Sequence, residues 1–185
     1  MAEAALADTL DAVAGSGADR WILALDGRPG PWLPAGFEVV PQRGDGLAER
    51  LAAAWQDAGG PGIQIGMDTP QVTAGILDAA LARLDPTGRH ALLGPASDGG
   101  WWAVGLPCAT PEIFTGVPMS SPHTGRLQAE RMRSFGWDVD LLDEMRDIDT
   151  VEDLDVVAAA LPGSCLAATV ATLALGARAL TAALA

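Results

Sequence analysis

The amino-acid sequence predicts a single α/β domain in which a mostly parallel sheet is covered by helices on both faces. Short runs of branched apolar residues, bounded by glycine and proline, alternate along the chain with longer segments of helical periodicity. Such alternation is typical of strands joined by crossover helices. The chain has 185 residues, 49% of them hydrophobic, which is enough for one sizeable core. Because no repeat or low-complexity linker interrupts it, we expect one domain over residues 1–185.

Six apolar runs are predicted to be strands, because each is short, rich in branched or aromatic residues and bounded by turn residues. In chain order they are WILALDG (21–27), FEVVPQ (37–42), GIQIGMD (62–68), HALLGPA (90–96), GWWAVGL (100–106) and WDVDLL (137–142). Only three residues, Ser97 to Gly99, separate the fourth run from the fifth. A plain β-hairpin is therefore an alternative interpretation of that region.

The segments around these strands are predicted to be helices, because their apolar residues recur at helical spacing and they end at glycine or proline. They are MAEAALADTLDAVA (1–14), LAERLAAAW (47–55), AGILDAALARL (74–84), GRLQAERMRSFG (125–136), VEDLDVVAAAL (151–161) and CLAATVATLALGARALTAALA (165–185). Thr73 is a suitable N-cap for the third. The last segment is apolar enough to raise a membrane alternative, but Gly176 and Arg178 interrupt it. We expect it to be a helix packed on the domain.

The charge balance excludes several classes of partner. With 24 acidic and 11 basic residues, the formal net charge is −13, and nucleic acids and anionic membranes are held by lysine and arginine. We therefore expect neither a nucleic acid polymer nor a membrane as a partner. All the basic residues are arginines, so no lysine can form a Schiff base. Cys108 and Cys165 lack metal-ligand spacing, and the acidic N-terminus is unlike a signal peptide, which together predict reduced thiols in a cytoplasmic protein.

Acidic residues follow two of the predicted strands. Asp68 comes directly after GIQIGM, and Pro70 prevents that strand from continuing. In open α/β sheets, ligands bind in the crevice beyond the carboxyl ends of the strands, so Asp68 is predicted to project into it. A role as a cap of the following helix is the alternative. Asp98 lies in GPASDGGWW, where two glycines allow close approach to a ligand, or merely form a turn.

A third acidic group, RDIDTVEDL, precedes the fifth helix. Thr150 is a suitable cap for that helix and Glu152 and Asp153 suit its first turn, so part of the group has an ordinary structural explanation. Residues 138–155 nevertheless contain nine acids and a single base, Arg146. A divalent cation would relieve this repulsion, and an acidic protein needs one to bind a nucleoside di- or triphosphate. Carboxylate oxygens favour Mg²⁺ or Mn²⁺. No P-loop, GxGxxG or GxSxG motif is present.

Three other residues suit a binding crevice. His123, in SSPHTG, is a candidate phosphate donor or catalytic base, although loop histidines are more often simply solvated. Trp101 and Trp102 alternate along a strand, so one is expected to face the core and the other to offer an aromatic face to a sugar or base.

Four runs carry a resemblance to a known family. GMDTPQVTAGILDAAL, LLGPASDGGWWAVGL, GVPMSSPHTGRLQAERMRSFGWDV and MRDIDTVEDL, in that order, resemble the DUF2064 family of GT-A-type glycosyltransferase-like proteins. The similarity extends from about Ala4 to Leu161. It implies a GT-A-type (nucleotide-diphospho-sugar transferase) fold, a Rossmann-like three-layer sandwich, and metal-assisted glycosyl transfer from a nucleotide sugar. Nucleotidyl transfer from a nucleoside triphosphate, as in phospholactate guanylyltransferases, is an alternative.

The resemblance also implies roles for individual residues. Asp68 and Asp149 occupy the positions of metal ligands for Mg²⁺ or Mn²⁺. The resemblance places Asp98, Gly99 and Gly100 at the acceptor or sugar side. Together with the residues' own chemistry, this makes Asp98 and His123 the candidate catalytic residues, and Thr69, Gly99, Gly100 and Trp102 the candidate contacts to the nucleotide donor.

One departure from the family pattern concerns nucleotide binding. Family members usually begin with a strand and a basic loop of the form PxPGxxKTRL, and this sequence starts at the helix expected after them. That strand normally lies between those formed here by WILALDG and GIQIGMD, so its loss would leave unpaired edges. A late start codon, a silent relative without nucleotide binding, or replacement by AATVATLAL (167–175) would each account for this. The silent relative, a binding or assembly protein that forms a homodimer, is the second functional hypothesis.

Overall fold

The computed structural model describes residues 1–183, and the side chains of residues 1–175. Within residues 1–183 the elements are, in chain order, α1 (Ala2–Ala14), β1 (Trp21–Leu25), β2 (Phe37–Pro41), α2 (Leu47–Ala58), β3 (Gly62–Ile65), α3 (Ala74–Leu81), β4 (His90–Pro95), β5 (Trp101–Leu106), a 3₁₀ helix (Pro111–Phe114), α4 (Thr124–Ser134), β6 (Asp138–Leu141), α5 (Val151–Ala160) and α6 (Cys165–Ala183). Each predicted strand and helix is confirmed, and the 3₁₀ helix was not predicted. The Thr73 hydroxyl accepts a hydrogen bond from the backbone N–H of Ile76, which confirms it as the cap of α3.

The strands form two sheets. Strands β1 and β2 pair in parallel, with Trp21 opposite Phe37. The larger sheet has the order β3-β5-β4-β6. Its strand β5 runs antiparallel to both neighbours, whereas β4 and β6 are parallel, so β3, β4 and β6 share one direction. The sheet is thus mixed, and the hairpin alternative for β4 and β5 is confirmed.

Helices cover both faces of the larger sheet, as predicted. On one face, α2, α4 and the 3₁₀ helix pack against β4 and β5; the buried side chains there include Trp55, Leu93, Val104, Phe114 and Met132. On the other face, α1 and α3 pack against β3 and β5; the buried or partly buried side chains there include Val13, Ile63, Ile65, Leu77 and Trp102. Open sheets with helices on both faces confirm the three-layer α/β class.

Helix α6 packs against α1 and α5 through a third apolar cluster. Ala5, Leu154 and Leu166 are buried there, one from each helix. The Asp8 carboxylate accepts hydrogen bonds from the first two backbone N–H groups of α6, at 2.8 and 2.9 Å, and so caps that helix. No helix within residues 1–183 combines the length and the apolar character needed to span a bilayer.

Within residues 1–183, the two sheets are not joined by a strand, because β1 pairs only with β2 and β3 pairs only with β5. This matches the interruption expected between WILALDG and GIQIGMD. The segment AATVATLAL lies inside α6, so the hypothesis that it replaces the absent strand is wrong. Alanine has the highest helix propensity of any residue, and it dominates this segment.

Candidate functional site

Three loops meet at the carboxyl ends of β3, β4 and β6, because these strands point in one direction. Backbone hydrogen bonds hold the loops together: the N–H of Ile148 donates to the carbonyl of Asp68 at 3.0 Å, and that of Ser97 donates to the carbonyl of Met145 at 2.9 Å. The Gln71 side-chain amide adds a bond of 2.6 Å to the carbonyl of Arg146. The acidic residues on all three loops are therefore fixed near one another at this edge of the sheet.

Four carboxylates share this edge. Asp98, Asp147 and Asp149 each offer an oxygen, and the three oxygens lie within 4.8 Å of one another. Asp68 is close enough to Asp98 and Asp149 for their negative charges to raise its pKa. The prediction that the acids after β3, after β4 and before α5 converge is thus consistent with this arrangement. We call these four residues the acidic site.

The electrostatics of the acidic site favour neutralisation. Partial burial is the largest cause, and the charges of Asp98, Asp149 and Asp68 add to it in that order, so that the pKa of Asp147 is raised to about 6. Burial is likewise the largest cause of the raised pKa of Asp68, although part of its side chain reaches solvent. The nearest base along the chain, Arg146, instead binds Asp153 at 2.8 Å. The acidic site therefore carries a charge that a proton or a cation would relieve.

Asp147 was not among the predicted ligands. The acids of RDIDTVEDL were partly explained as helix-start chemistry, and the structure confirms that explanation for Thr150 and Asp153, which form a capping box. Asp147 and Asp149, however, lie two residues apart in the segment before the helix, which has no regular secondary structure, and both offer an oxygen to the site. That spacing was the available signal for adding Asp147 to the site.

The glycines after Asp98 have a packing role. Gly99 has φ +91°, and a Cβ at this position would overlap the carbonyl oxygen of Pro122. The N–H of Gly125, at the start of α4, donates to the carbonyl of Gly99 at 2.9 Å, and the N–H of Gly100 donates to Asp98 at 2.6 Å. The turn therefore orients the Asp98 side chain and holds the first turn of α4 against it. Contact of Gly99 and Gly100 with a nucleotide stays a prediction.

The other predicted residues lie in different environments. His123 is exposed at the N-cap of α4, beside the turn that carries Asp98, so its role stays a prediction. Trp102 is only 1% exposed and its indole N–H donates to the carbonyl of Asp143 at 3.0 Å. Thr69 is fully buried. Contact of Trp102 and Thr69 with a nucleotide stays a prediction, and both side chains are buried in this structure. Trp101 is half-buried and packs against Phe114.

The fold defines the class of protein. It is similar to the crystal structure of a protein from Desulfovibrio desulfuricans G20 described as a "putative nucleotide-diphospho-sugar transferase", with a TM-score of 0.73 and 27% sequence identity. The similarity covers 88% of this chain and 75% of that one. The protein thus has a fold of the nucleotide-diphospho-sugar transferase type.

The family follows from the sequence. A family model described as an uncharacterized protein conserved in bacteria, DUF2064, matches residues 2–121. The chain therefore belongs to the DUF2064 family. The matched region includes Asp68 and Asp98, and Asp147 and Asp149 lie after it. No curated protein matches the sequence.

Proposed function

We propose that the protein is a transferase that moves a glycosyl group from a nucleotide-activated sugar, with a divalent cation bound at the acidic site. The observation that carries this proposal is the convergence of four carboxylates at the carboxyl ends of β3, β4 and β6. In open α/β sheets this edge is the usual place for ligands. The similarity to a nucleotide-diphospho-sugar transferase supports the same reading of the site.

The residues of the acidic site suit a hard cation. All of their donor atoms are carboxylate oxygens, the type that Mg²⁺ and Mn²⁺ prefer. Asp98, Asp147 and Asp149 bring three such oxygens within 4.8 Å of one another without a neutralising arginine between them. We assign the cation to Asp149 and Asp68, with Asp147 and Asp98 completing the set. When bound, such a cation stabilises the charge on a diphosphate leaving group.

Two residues are proposed to act on the acceptor. Asp98 is exposed on a turn that is fixed by the hydrogen bond that one of its oxygens accepts from the N–H of Gly100, and we propose that this side chain orients an acceptor hydroxyl beside the cation. A general base must lie within hydrogen-bond reach of the proton that it removes. His123 lies on the loop that packs on this turn, and we propose that it borders the acceptor side.

A catalytically silent binding protein is the second candidate, and the separation of the two sheets favours it. The edges of β1 and β3 lack the pairing that a continuous sheet would give them within residues 1–183. Unpaired edges of this kind add strands from other chains, including a second copy in a homodimer. This candidate predicts a folded protein that binds no nucleotide.

Isothermal calorimetry separates these candidates. The purified protein is titrated with nucleotide sugars and nucleoside triphosphates, with and without Mn²⁺, beside the variants Asp149→Asn and Asp155→Asn. Asp155 is an exposed acid on α5 outside the acidic site, so it serves as the matched control. The proposal requires Mn²⁺-dependent binding of a nucleotide sugar that Asp149→Asn loses and Asp155→Asn keeps.

The products then identify the reaction. Release of a nucleoside diphosphate from a bound nucleotide sugar indicates glycosyl transfer, whereas release of pyrophosphate from a triphosphate indicates the nucleotidyl transfer alternative. If the folded protein binds none of these ligands, the transferase proposal fails and the silent binding protein is favoured.

A further inference from the structure

An apolar cavity opens beside the acidic site. Its volume is about 290 Å³, and eight of the eleven residues that line it are apolar. The floor is formed by one buried side chain each from α1, α5 and α6, namely Ala5, Leu154 and Leu166. The floor therefore belongs to the packed cluster of these three helices, and the loops that carry Met67 and Ile148 complete the wall.

The rim of the cavity exposes large apolar side chains. Met67 is 46% exposed and Val151 is 66% exposed, and both line the cavity together with the half-buried Ile148. A single exposed apolar residue is common on protein surfaces and needs no explanation. Several exposed apolar side chains around one concave surface are, by contrast, typical of a binding site. Met67 directly precedes Asp68, and Val151 follows Asp149 by two residues. The apolar rim and the acidic site are therefore continuous.

The charge of the cavity selects its ligand. The carboxylates of Asp68 and Asp149 line it, and none of the eleven lining side chains is basic. In the metal-free protein, an anionic group, such as a phosphate, would meet two negative charges there with no basic side chain to offset them. A neutral apolar group can bury its surface against the wall, while the carboxylates accept hydrogen bonds from a hydroxyl group.

We propose that this cavity binds the apolar part of a neutral alcohol, whose hydroxyl group points toward the acidic site. The volume of the cavity lies at the lower end of ligand pockets, which fits a short aliphatic chain or a single ring rather than a polymer. If the proposed transferase function holds, this alcohol is the acceptor, and its hydroxyl group is the one that receives the sugar. That last identification rests on the proposed function, whereas the binding of the alcohol does not.

Ligand-observed NMR with benzyl alcohol as the probe tests the proposal, on metal-free protein without nucleotide, with glycerol as the polar comparison. Val151→Ser and Met67→Gln make the rim polar at exposed positions, so neither is expected to affect folding. Val156→Ser is the matched control, because Val156 is 55% exposed on the same helix but does not line the cavity. We expect benzyl alcohol to bind in preference to glycerol, with affinity about fivefold weaker in each rim variant and unchanged in Val156→Ser.

Two results would overturn the proposal: benzyl alcohol binding no better than glycerol, or equal affinity in the rim variants and the unmodified protein. The variant Asp147→Asn separates this proposal from the transferase function, because Asp147 belongs to the acidic site but does not line the cavity. It is expected to weaken Mn²⁺-dependent nucleotide binding and to keep benzyl alcohol binding. If the protein binds the alcohol but no nucleotide, the cavity assignment stands and the transferase proposal fails. If it binds a nucleotide but not the alcohol, the transferase proposal stands and the cavity assignment fails.

Discussion

Replacing Asp147 with asparagine is expected to stabilise the metal-free protein above pH 6. The pKa of Asp147 rises from an ordinary value of 3.8 to about 6, chiefly because of burial and then because of its acidic neighbours. The folded state therefore binds a proton more tightly than the unfolded state. By linkage, the charged carboxylate destabilises the fold at high pH, and this destabilisation is relieved as the pH falls from about 6 toward 3.8.

The size of the effect follows from this pKa difference. Each pKa unit corresponds to about 1.4 kcal/mol, which sets an upper bound of roughly 3 kcal/mol for Asp147. The carboxylate is partly exposed, and solvent screening reduces the expected gain to about 1 kcal/mol. For a chain of this length, that gain raises the melting temperature by about 2–4 °C.

Differential scanning calorimetry between pH 4 and pH 8, in the presence of a chelator, measures the change. Asp147→Asn should melt above the unmodified protein at pH 8, and the difference should become small at pH 4. Asp155→Asn, which lies outside the acidic site, should show no such pH-dependent gain. A lower melting temperature for Asp147→Asn at pH 8, or a difference that does not vary with pH, would refute the account of charge repulsion.

Two further predictions concern packing around the site. Gly99→Ala should lower the free energy of unfolding by about 2 kcal/mol or more in urea denaturation, because the added Cβ overlaps the carbonyl of Pro122. Gly27→Ala is the control, since Gly27 also has a positive φ but open space around it, and an equal loss there would disprove the overlap. Asp8→Ala should cost about 1 kcal/mol by uncapping α6, as measured by thermal melting. Asp11→Ala, which removes another acid of α1, should lower the stability less, and equal losses of stability would argue against the cap.

The order of strands and helices could be predicted because each element carries a local signal. Thr73 caps α3 and the acidic residues after Thr150 begin α5, and both features are readable from a few neighbouring residues. The direction of β5 is a less local property. The short connection between β4 and β5 suits either a hairpin or a ligand-binding turn, and the structure combines the two, since the hairpin turn itself carries Asp98.

The site was only partly predictable, since its membership depends on contacts between distant segments. Asp68 and Asp149 were predicted from strand ends and from the family resemblance, whereas Trp102 was a candidate because it alternates with Trp101 along β5. Alternation along β5 shows that successive residues face opposite sides, without saying which side is the core. The apolar cavity is formed by three helices and two loops, so no single stretch of sequence predicts it.

The most direct test of the central claim is the number of Mn²⁺ ions bound per chain at about pH 8, measured by electron paramagnetic resonance. The acidic site predicts one Mn²⁺ per chain, a site that Asp149→Asn loses and Asp155→Asn retains, with weaker binding below pH 6 as protons compete for the carboxylates. Folded protein that binds no Mn²⁺, or that binds it equally well after Asp149→Asn, would contradict the assignment of the four carboxylates as a cation site.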